Sequence, residues 1–223
     1  LKPVPVKSID QQALQSVHRI RQQVIDTRKQ RINIARSLFA EFGVPLPRGT
    51  KDIVSRFRRH QDELPPVLVQ VLEPVLDEIN VLKDRIDAID LMLKRYVKSQ
   101  PVIERLTTVP GVGVITATAL FASVPDIHQF ERARQFASWL GLTPREFSSG
   151  DKRVLGRISK RGDKYLRMLL IHGARSALLA ANRKRNNGSD TTGLERWACD
   201  LQQDKHHNVA TVALANKVAR IIW

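Results

Sequence analysis

Residues 68–96 of the chain read LVQVLEPVLDEINVLKDRIDAIDLMLKRY. Apolar side chains recur in this stretch at alternating intervals of four and three residues, which is the spacing of the a and d positions of a coiled coil. We call these residues the seam: Leu68, Leu72, Val75, Ile79, Leu82, Ile86, Ile89, Leu93 and Tyr96. Pro74 lies off the seam, and its missing N–H and its ring predict a kink or a helix start there.

A second long helix is predicted before the seam. Ser8 and Gln11 have the spacing of a capping box, and apolar residues then recur at helical intervals. The predicted helix, from about Ile9 to Phe42, would be roughly 50 Å long at ~1.5 Å per residue. A short helix from Lys51 to about His60 is expected between it and the seam.

Two partners are possible for the seam. It could pack on the Ile9–Phe42 helix of its own chain as an αα-hairpin, or on a second copy of itself. We favour a coiled-coil arm, comprising residues 1–100, that contributes to a dimer or higher homo-oligomer.

From Pro101 onward the elements become shorter and richer in Gly and basic residues, so residues 101–223 are predicted to form a second domain. Helices over Val102–Val109 and Val114–Ala122, joined by a Gly-rich turn at 110–113, have the form of a helix-hairpin-helix. The glycines of such a turn let backbone N–H groups approach a phosphate. A turn that only joins two packed helices is the alternative. The fold class predicted for the whole chain is all-α (mainly α).

The remaining elements follow from caps, Gly and Pro breaks and apolar periodicity. They are a turn capped by Asp126 that leads into a helix through Phe130, Phe136, Trp139 and Leu140, a loop or irregular hairpin over Arg145–Gly162, a helix capped by Asp163 and ending near Asn182, and helices over Leu194–Asp204 and Val209–Ile222. Gly173, inside the helix that Asp163 caps, would cost ~1 kcal/mol relative to Ala. It therefore indicates that another element packs closely there.

The chain is strongly basic. It has 37 Lys and Arg against 22 Asp and Glu, a formal charge of +15 and a pI near 10.6. Residues 132–185 hold fourteen of the Lys and Arg but only three Asp and Glu, so the positive charge is concentrated. Nucleic acid is the partner expected for such a segment, and a generically basic protein whose charges only maintain solubility is the less favoured alternative.

Several classes of protein are excluded. The longest apolar runs, such as Ala177–Ala181, are far shorter than the ~18 residues of a membrane span, and the first residues do not form a signal peptide. Cys199 stands alone, which excludes disulfides within the chain and a Cys-based zinc site. The six His residues show no metal-ligand spacing. Because the sequence starts without Met, we expect a piece of a longer, intracellular protein.

A polar turn at 147–153, reading FSSGDKR, lies near the centre of the basic segment. A Ser hydroxyl is a weak nucleophile unless a base, a metal ion or a cationic setting stabilises its alkoxide. Ser149 has the cationic setting, and Gly150 permits close approach of a substrate. These residues alone leave open whether Ser149 is a nucleophile or a simple phosphate contact.

The order of the motifs is more specific. LTTVPGVG at 106–113, FASWLGLTPR at 136–145, SSG at 148–150, GRISKRGD at 156–163 and Leu166-Arg167 follow one another. This series resembles the C-terminal domain of the bacterial insertion-sequence transposases that have an N-terminal RuvC-like DEDD nuclease, which are kin of the Piv DNA invertase. The segment from Val4 to Phe42 is similar to the helix that follows the nuclease domain in that family.

The resemblance implies a DNA transposase or recombinase. In that family the nuclease carboxylates bind Mg²⁺, a Ser of the C-terminal domain becomes covalently joined to DNA, and a structured RNA from the element can guide target choice. The family's Ser-Gly pair falls on Ser149 and Gly150, so Ser149 is the predicted nucleophile. Ser148 is the reserve candidate, and Ser176 is a weaker one.

The residues predicted to contact DNA, and the guide RNA with it, share a basic or Gly-rich setting in these motifs. They are Pro110, Gly111, Gly113, Arg145, Gly150, Lys152, Arg153, Arg157, Lys160, Arg161 and Arg167.

No DEDD set of carboxylates can be assembled from this sequence. The resemblance therefore implies that Mg²⁺ binds to a nuclease domain outside the chain, that no cofactor binds within it, and that the chain alone is inactive. It also implies a cytoplasmic, nucleoid-associated bacterial protein in which one subunit's serine domain meets another's nuclease domain. The alternatives are a non-catalytic module that binds nucleic acid and oligomerises, and an assembly protein built on the arm.

The predicted dimer is testable by light scattering on a fragment that ends near Gln100. We expect the mass of a dimer, because an unpaired seam would expose its apolar side chains to water. A strict monomer would contradict the dimeric arm.

Overall fold

α-Helices form nearly all of the regular structure of the chain. The computed structural model describes residues 5–46, 49 and 52–223. The helices in these residues are α1 (Ile9–Glu41), α2 (Ile53–Arg59), α3 (Pro66–Lys98), α4 (Pro101–Thr107), α5 (Val114–Ser123), α6 (Ala133–Trp139), α7 (Lys164–Asn186), α8 (Gly193–Asp204) and α9 (His207–Ile222). Short 3₁₀ turns lie at Gln61–Glu63 and Ile127–Gln129, and strands β1 (Pro144–Glu146) and β2 (Leu155–Ile158) form one antiparallel pair. The predicted mainly α fold is confirmed, and no helix of the described chain has the length and apolarity needed to cross a bilayer.

The described residues divide into two compact units. The arm unit is Gln15–Met92, and the C-terminal unit combines the residues up to Leu14 with Leu93–Trp223. The first residues of α1 and the last residues of α3 thus belong to the C-terminal unit.

The arm unit has its own apolar core, to which α1, α2 and α3 all contribute. The rings of Phe39 in α1 and Phe57 in α2 stack with their centroids 5.3 Å apart, and both side chains are fully buried. Leu76 and Ile79 of α3 are buried in the same cluster. The short helix α2 is therefore held by side-chain burial, since seven residues are too few for a stable isolated helix.

Polar contacts between α1 and α3 show the direction of the two helices. Arg21 pairs with Asp90 and Arg31 pairs with Glu78, each at 2.5 Å. Residue numbers rise along α1 as they fall along α3, so the helices are antiparallel. This is the αα-hairpin arrangement that the sequence left as one of two possibilities.

The hairpin covers much of the seam within a single chain. In the arm unit Leu72, Ile79 and Leu82 of the seam are buried, and its other seam residues are half-buried. Packing of a second copy on the arm stays a prediction. The helix start proposed at Pro74 is wrong, because α3 begins at Pro66 and runs through Pro74. Lys51, the predicted first residue of the short helix, lies outside the described residues.

His18 is a buried residue of α1 in the arm unit, with 4% of its surface exposed. Burial, the largest cause, and the charge of Arg21 together lower its pKa to about 4, against the opposing effect of Asp90. The imidazole is therefore neutral near pH 7, as expected for a packing role.

The predicted capping box is present at the start of α1. Ser8 N donates to Gln11 Oε1 at 3.0 Å, and Gln11 N donates to Ser8 Oγ at 3.1 Å. The amide nitrogen of Gln11 also donates to the carbonyls of Phe121 and Val124, at the end of α5. Carbonyls at a helix end lack helical partners, so Gln11 both begins one helix and satisfies the end of another.

Helix α7 is the centre of the C-terminal unit. Asp163 caps it by accepting a hydrogen bond from Leu166 N at 2.9 Å, as predicted. Leu166, Leu170, Ala174 and Leu178 lie at intervals of four along one face and are completely buried. Residues of α5, α8 and α9 join them in one apolar cluster. The helix continues to Asn186, four residues beyond the predicted end.

The turn that Asp126 was predicted to cap is confirmed, whereas the extension of the following helix back through Phe130 is wrong. Asp126 does accept a hydrogen bond from His128 N, but it caps only a 3₁₀ turn, and α6 starts later, at Ala133. The backbone at Phe130 is extended, and its carbonyl accepts a hydrogen bond from the indole N–H of Trp223 at 2.9 Å. An extended residue cannot continue a helix, and the indole bond satisfies the carbonyl that the break leaves without a helical donor.

The close approach predicted at Gly173 is confirmed. A Cβ at Gly173 would lie 1.8 Å from the carbonyl oxygen of Gly111, and a Cβ at Gly111 would lie 2.8 Å from the carbonyl oxygen of Gly173. Gly111 also has a φ of +85°, which favours glycine. The turn between α4 and α5 thus packs directly on the backbone of α7.

Gly173→Ala tests this contact. Ala in a helix interior is normally more stable than Gly by ~1 kcal/mol, but here we expect a loss of about 1–3 kcal/mol because the methyl group must separate two backbones. Urea unfolding would measure the change. Gly193→Ala is the matched control, since a Cβ there meets no atom within 4 Å. Equal stability of the Gly173 variant and the parent would contradict the backbone contact.

Candidate functional site

The irregular hairpin predicted in the basic segment is present, and we call residues 144–158 the basic hairpin. Pro144 pairs with Ile158 and Glu146 with Leu155, with an irregularity in the register between them. All residues of the hairpin except Ile158 are exposed. Its order therefore comes from backbone pairing and turn contacts instead of a core of its own.

The tip of the basic hairpin contains the predicted Ser-Gly pair. Ser149 and Lys152 exchange two backbone hydrogen bonds of 3.2 Å, which closes a tight turn. Gly150, inside this turn, has a φ of +55°, in the left-handed region that favours glycine. The turn therefore fixes the backbone on both sides of Gly150.

Ser148 has a structural partner on each side. Its hydroxyl donates to Glu146 Oε1 at 2.8 Å and accepts a hydrogen bond from Val154 N at 3.1 Å. The bond from Val154 links the two arms of the basic hairpin, and the bond to Glu146 holds the hydroxyl on its own arm. A hydroxyl used in this way stabilises the loop.

Ser149 differs from Ser148. It is exposed, and within the described part of the chain its hydroxyl has no hydrogen-bond partner. It is thus the serine at the tip whose oxygen is open to an incoming group.

Most cations of the basic hairpin and of the segment that follows it lack a neutralising partner. Arg153 lies 3.7 Å from Glu146, a loose ion pair between exposed side chains. The cations that form no ion pair with any described carboxylate are Arg145, Lys152, Arg157, Lys160 and Arg161. Their charges produce a positive potential and repel one another. A bound anion would reduce that repulsion.

Backbone contacts hold the segment that follows β2. A Cβ at Gly162 would lie 1.8 Å from the carbonyl oxygen of Trp139, and a Cβ at Gly141 would lie 2.0 Å from that of Arg161. Lys160 has a φ of +55°, which is uncommon for a residue other than glycine, and its N–H donates to the Gly141 carbonyl at 3.2 Å. The cations at 160 and 161 therefore project from a fixed backbone.

Arg167 of α7 locks this arrangement. One guanidinium nitrogen donates to the carbonyl of Leu140 at 3.1 Å and to that of Arg161 at 3.0 Å. The predicted contact of Arg167 with nucleic acid is untested, and these bonds give it a positioning role.

The predicted phosphate-binding turn at 110–113 lies farther along α7. Gly111 meets Gly173, which is about 9 Å along the helix axis from Arg167. Packing accounts for Gly111, in agreement with the alternative of a turn that joins packed helices. Gly113 is the N-cap of α5 and has open space beside it, so a phosphate contact at Pro110 or Gly113 stays a prediction.

The other candidate residues lie apart from the tip. Ser176 is exposed in the middle of α7. Cys199 is buried in the apolar cluster. Among the described residues, no group of three or more His, Cys, Asp or Glu has the geometry to hold a metal ion.

Sequence reasoning missed two features of the site. One is the Glu146–Ser148 bond, for which the alternate spacing of the two residues within the expected loop or irregular hairpin was an available signal. The other is Phe147, which is 64% exposed beside the serines. Nothing in the periodicity pointed to a function for that ring.

Comparison with known sequences gives the site a context. Residues 103–188 match the family described as "Transposase IS116/IS110/IS902 family". The matched segment includes the whole of the basic hairpin and α7.

Similar proteins extend the likeness over the whole chain. The chain is 41% identical to a "Probable family 20 transposase" of Pseudomonas aeruginosa, over 100% of its own length and 66% of the relative. It is 39% identical to the transposase for insertion sequence element IS1111A of Coxiella burnetii, over 97% of the chain and 59% of the relative. It is 35% identical to the transposase for insertion sequence element IS1328 of Yersinia enterocolitica, over 99% and 64%. The chain thus spans between 59% and 66% of the length of these relatives.

The unpaired cations predict a salt-dependent affinity for a polyanion. We expect the affinity for duplex DNA to fall by ~10³ or more between about 50 and 200 mM salt if six or more phosphates are bound. Arg157→Ala should reduce the slope of log affinity against log salt by ~0.9 for each phosphate that is no longer neutralised. Fluorescence anisotropy with a labelled duplex would measure both effects.

Arg185→Ala is the matched control for charge, because Arg185 pairs with Asp200 at 2.8 Å. We expect its slope to equal that of the parent. Identical slopes for the Arg157 variant and the parent would contradict phosphate binding by the basic hairpin.

Proposed function

We propose that the chain is part of a DNA transposase and that it supplies the serine nucleophile for strand transfer. The proposal starts from the match of residues 103–188 to the IS116/IS110/IS902 transposase family. Relatives named as transposases match the chain over 97–100% of its length, which supports the first part of this proposal. The basic hairpin supports the second.

The observation that carries the proposal is the environment of Ser149. Its hydroxyl is exposed and unpartnered within the described residues, it adjoins Gly150 at an ordered tip, and the hairpin that carries it and the segment after β2 hold cations without an ion-pair partner. Phosphoryl transfer depends mainly on positioning and on stabilisation of charge at the phosphate oxygens. A fixed hydroxyl among cations meets both needs.

The proposed reaction conserves the phosphodiester bond. The Ser149 oxygen attacks the phosphorus of a DNA strand, a P–O bond forms to the serine, and the P–O bond to one deoxyribose oxygen breaks. The serine proton is transferred, through solvent or a base, to the released deoxyribose oxygen. A hydroxyl of a second strand then attacks the phosphoserine diester, which restores the serine and joins the strands.

The cations act at the phosphate. Guanidinium groups form paired hydrogen bonds with phosphate oxygens, and Arg145 and Arg161 have no carboxylate partner to displace. Arg157 and the lysines supply further positive charge to the bound strand. Removal of a single donor of this kind in other enzymes slows the reaction by ~10²–10³.

Ser148 has a different role in this proposal. Its hydroxyl is bonded to Glu146 and Val154, so attack by Ser148 would require these loop contacts to break. It remains the reserve candidate as nucleophile, and its bonds support a positioning role for the tip.

The remaining parts of the activity are proposed from the family resemblance. A nuclease domain outside residues 1–223 would bind Mg²⁺ through its carboxylates, and an element-encoded RNA would select the target. Oligomerisation through the arm would bring one subunit's serine to another's nuclease domain. The greater length of the relatives supports such an additional domain. On this proposal the chain alone does not complete transposition.

A denaturing-gel search for a covalent protein–DNA adduct tests the nucleophile. We expect the longer transposase that contains this chain to form an adduct with its DNA substrate, and Ser149→Ala to abolish it while DNA affinity stays nearly unchanged. Ser148→Ala should lower the yield without removing the adduct, because it loosens the tip. Ser176→Ala, a serine of α7 outside the tip, should leave the yield unchanged.

Strand transfer that continues undiminished in Ser149→Ala would overturn the proposal. It would instead favour a second function, in which the unpaired cations of the basic hairpin only bind phosphates and the chain is a non-catalytic nucleic-acid-binding module. That module would show the salt dependence described above with no covalent species.

A further inference from the structure

An open cleft lies beside the basic hairpin. Its volume is about 530 Å³, within the ~300–1,000 Å³ range of sites that hold small organic groups. The groups that border it are hydroxyls, two guanidinium groups, one aromatic ring, a proline and the carboxylate of Glu146, which accepts the hydrogen bond from Ser148. They include Ser138, Thr143, Arg145, Phe147, Ser159 and Arg161.

The aromatic ring belongs to Phe147, which is 64% exposed. One edge of the ring rests on the backbone of β2, since a Cβ at Gly156 would lie 2.8 Å from Phe147 Cε2. The absence of a side chain at Gly156 lets the ring lie against the strand. The ring is thus supported on one side and open on the other.

Phe147 and Ser149 project from the same face of the hairpin arm. Successive side chains of an extended chain alternate between faces. Glu146 and Ser148 share one face through their 2.8 Å hydrogen bond, so Phe147 and Ser149 share the other. Their Cα atoms are separated by roughly 7 Å at ~3.3 Å per residue. That spacing would place a base on the ring beside a phosphate at the serine.

The polar border of the cleft is suited to the edge of a nucleobase or to its sugar. Thr143 Oγ1 donates to Ser138 Oγ at 3.4 Å, and Arg145 donates to the Ser159 carbonyl at 3.4 Å. Both hydrogen bonds are long, so these groups can rotate toward a ligand. Hydroxyls supply donors and acceptors, and the guanidinium groups supply donors only.

We propose that this cleft binds an unpaired DNA base, stacked on Phe147, next to the phosphodiester that Ser149 attacks. The inference rests on the proposed function, because it places the base at the strand that reacts. A base within a duplex is covered on both faces by its neighbours, so only an unpaired base offers a face to the ring. A lone exposed apolar side chain is ordinary on a protein surface, but this one lines a cleft together with two unpaired guanidinium groups.

Recognition of an unpaired base would make the site selective for opened DNA. The strand would be engaged where its base pairing has already been broken, and the stacked base would fix the adjacent phosphate. Stacking on an aromatic side chain tolerates any sequence, because every base has such a face. The cleft therefore positions the DNA strand, and selection of the DNA sequence must depend on other contacts.

The test uses the whole chain and a short single-stranded DNA that contains 2-aminopurine, whose fluorescence is quenched by stacking. We expect quenching on binding, and Phe147→Ala to abolish it and to weaken single-strand binding by ~10-fold. Affinity for duplex DNA of the same sequence should change much less. Phe147→Tyr should retain the quenching, because it keeps an aromatic face.

Two controls separate stacking from loss of structure. Phe42→Ala removes an aromatic ring of the arm unit that is 47% exposed. This variant should leave the affinity for single-stranded DNA unchanged. Thermal unfolding should show that Phe147→Ala is folded, as expected for a side chain with little burial. An equal loss of single-strand and duplex binding, or unchanged quenching in Phe147→Ala, would overturn the proposal.

The result is separable from the test of the nucleophile. Ser149→Ala should bind and quench the single strand like the parent, since it removes only the attacking oxygen. If Phe147→Ala has no effect while the covalent adduct still requires Ser149, the cleft proposal fails and the proposed function stands. If quenching requires Phe147 but no adduct requires Ser149, the proposed function fails.

Discussion

Contact between two stretches of backbone at the base of the basic hairpin is the constraint on which the candidate site depends. At Gly162 and Gly141 there is no space for a side chain, because carbonyl oxygens of Trp139 and Arg161 occupy it. The segment after β2 is therefore fixed against the end of α6, and Arg167 bonds to both sides of the junction. The hairpin has almost no core, so its orientation comes from this junction.

The stability of the C-terminal unit and its positive charge have separate sources. The buried face of α7 provides the apolar contacts, whereas the cations of the basic hairpin are exposed and mostly unpaired. Crowded like charges oppose folding slightly, and a bound anion removes that opposition. The repulsion between these cations is therefore lowest when an anion is bound. A carboxylate side chain that paired with these cations would stabilise the free protein but would weaken the binding of an anion.

Local rules predicted much of the fold, and long-range contacts account for the rest. The capping box at Ser8, the Asp163 cap and the close packing at Gly173 all follow from residue type and spacing. The partner of the seam could not be predicted in this way, because an apolar stripe on a helix indicates that another element covers it but not which one. The carbonyl at the Phe130 break finds its donor in Trp223, 93 residues away, and Arg167 bonds to backbone carbonyls that no side-chain pattern identifies. The identity of Ser149 as a candidate came from family resemblance, since its cationic setting alone is equally suited to a phosphate contact.

The arm unit interrupts the C-terminal unit in sequence, and this has a consequence for the order of folding. Leu14 and Leu93 belong to the same unit although roughly 80 residues lie between them, and closing a flexible loop of that length carries an entropic cost. Early pairing of α1 with α3 would bring these two points together and replace a long loop by a rigid connection. We therefore expect the unit that carries the serine to assemble faster once a segment outside it has paired.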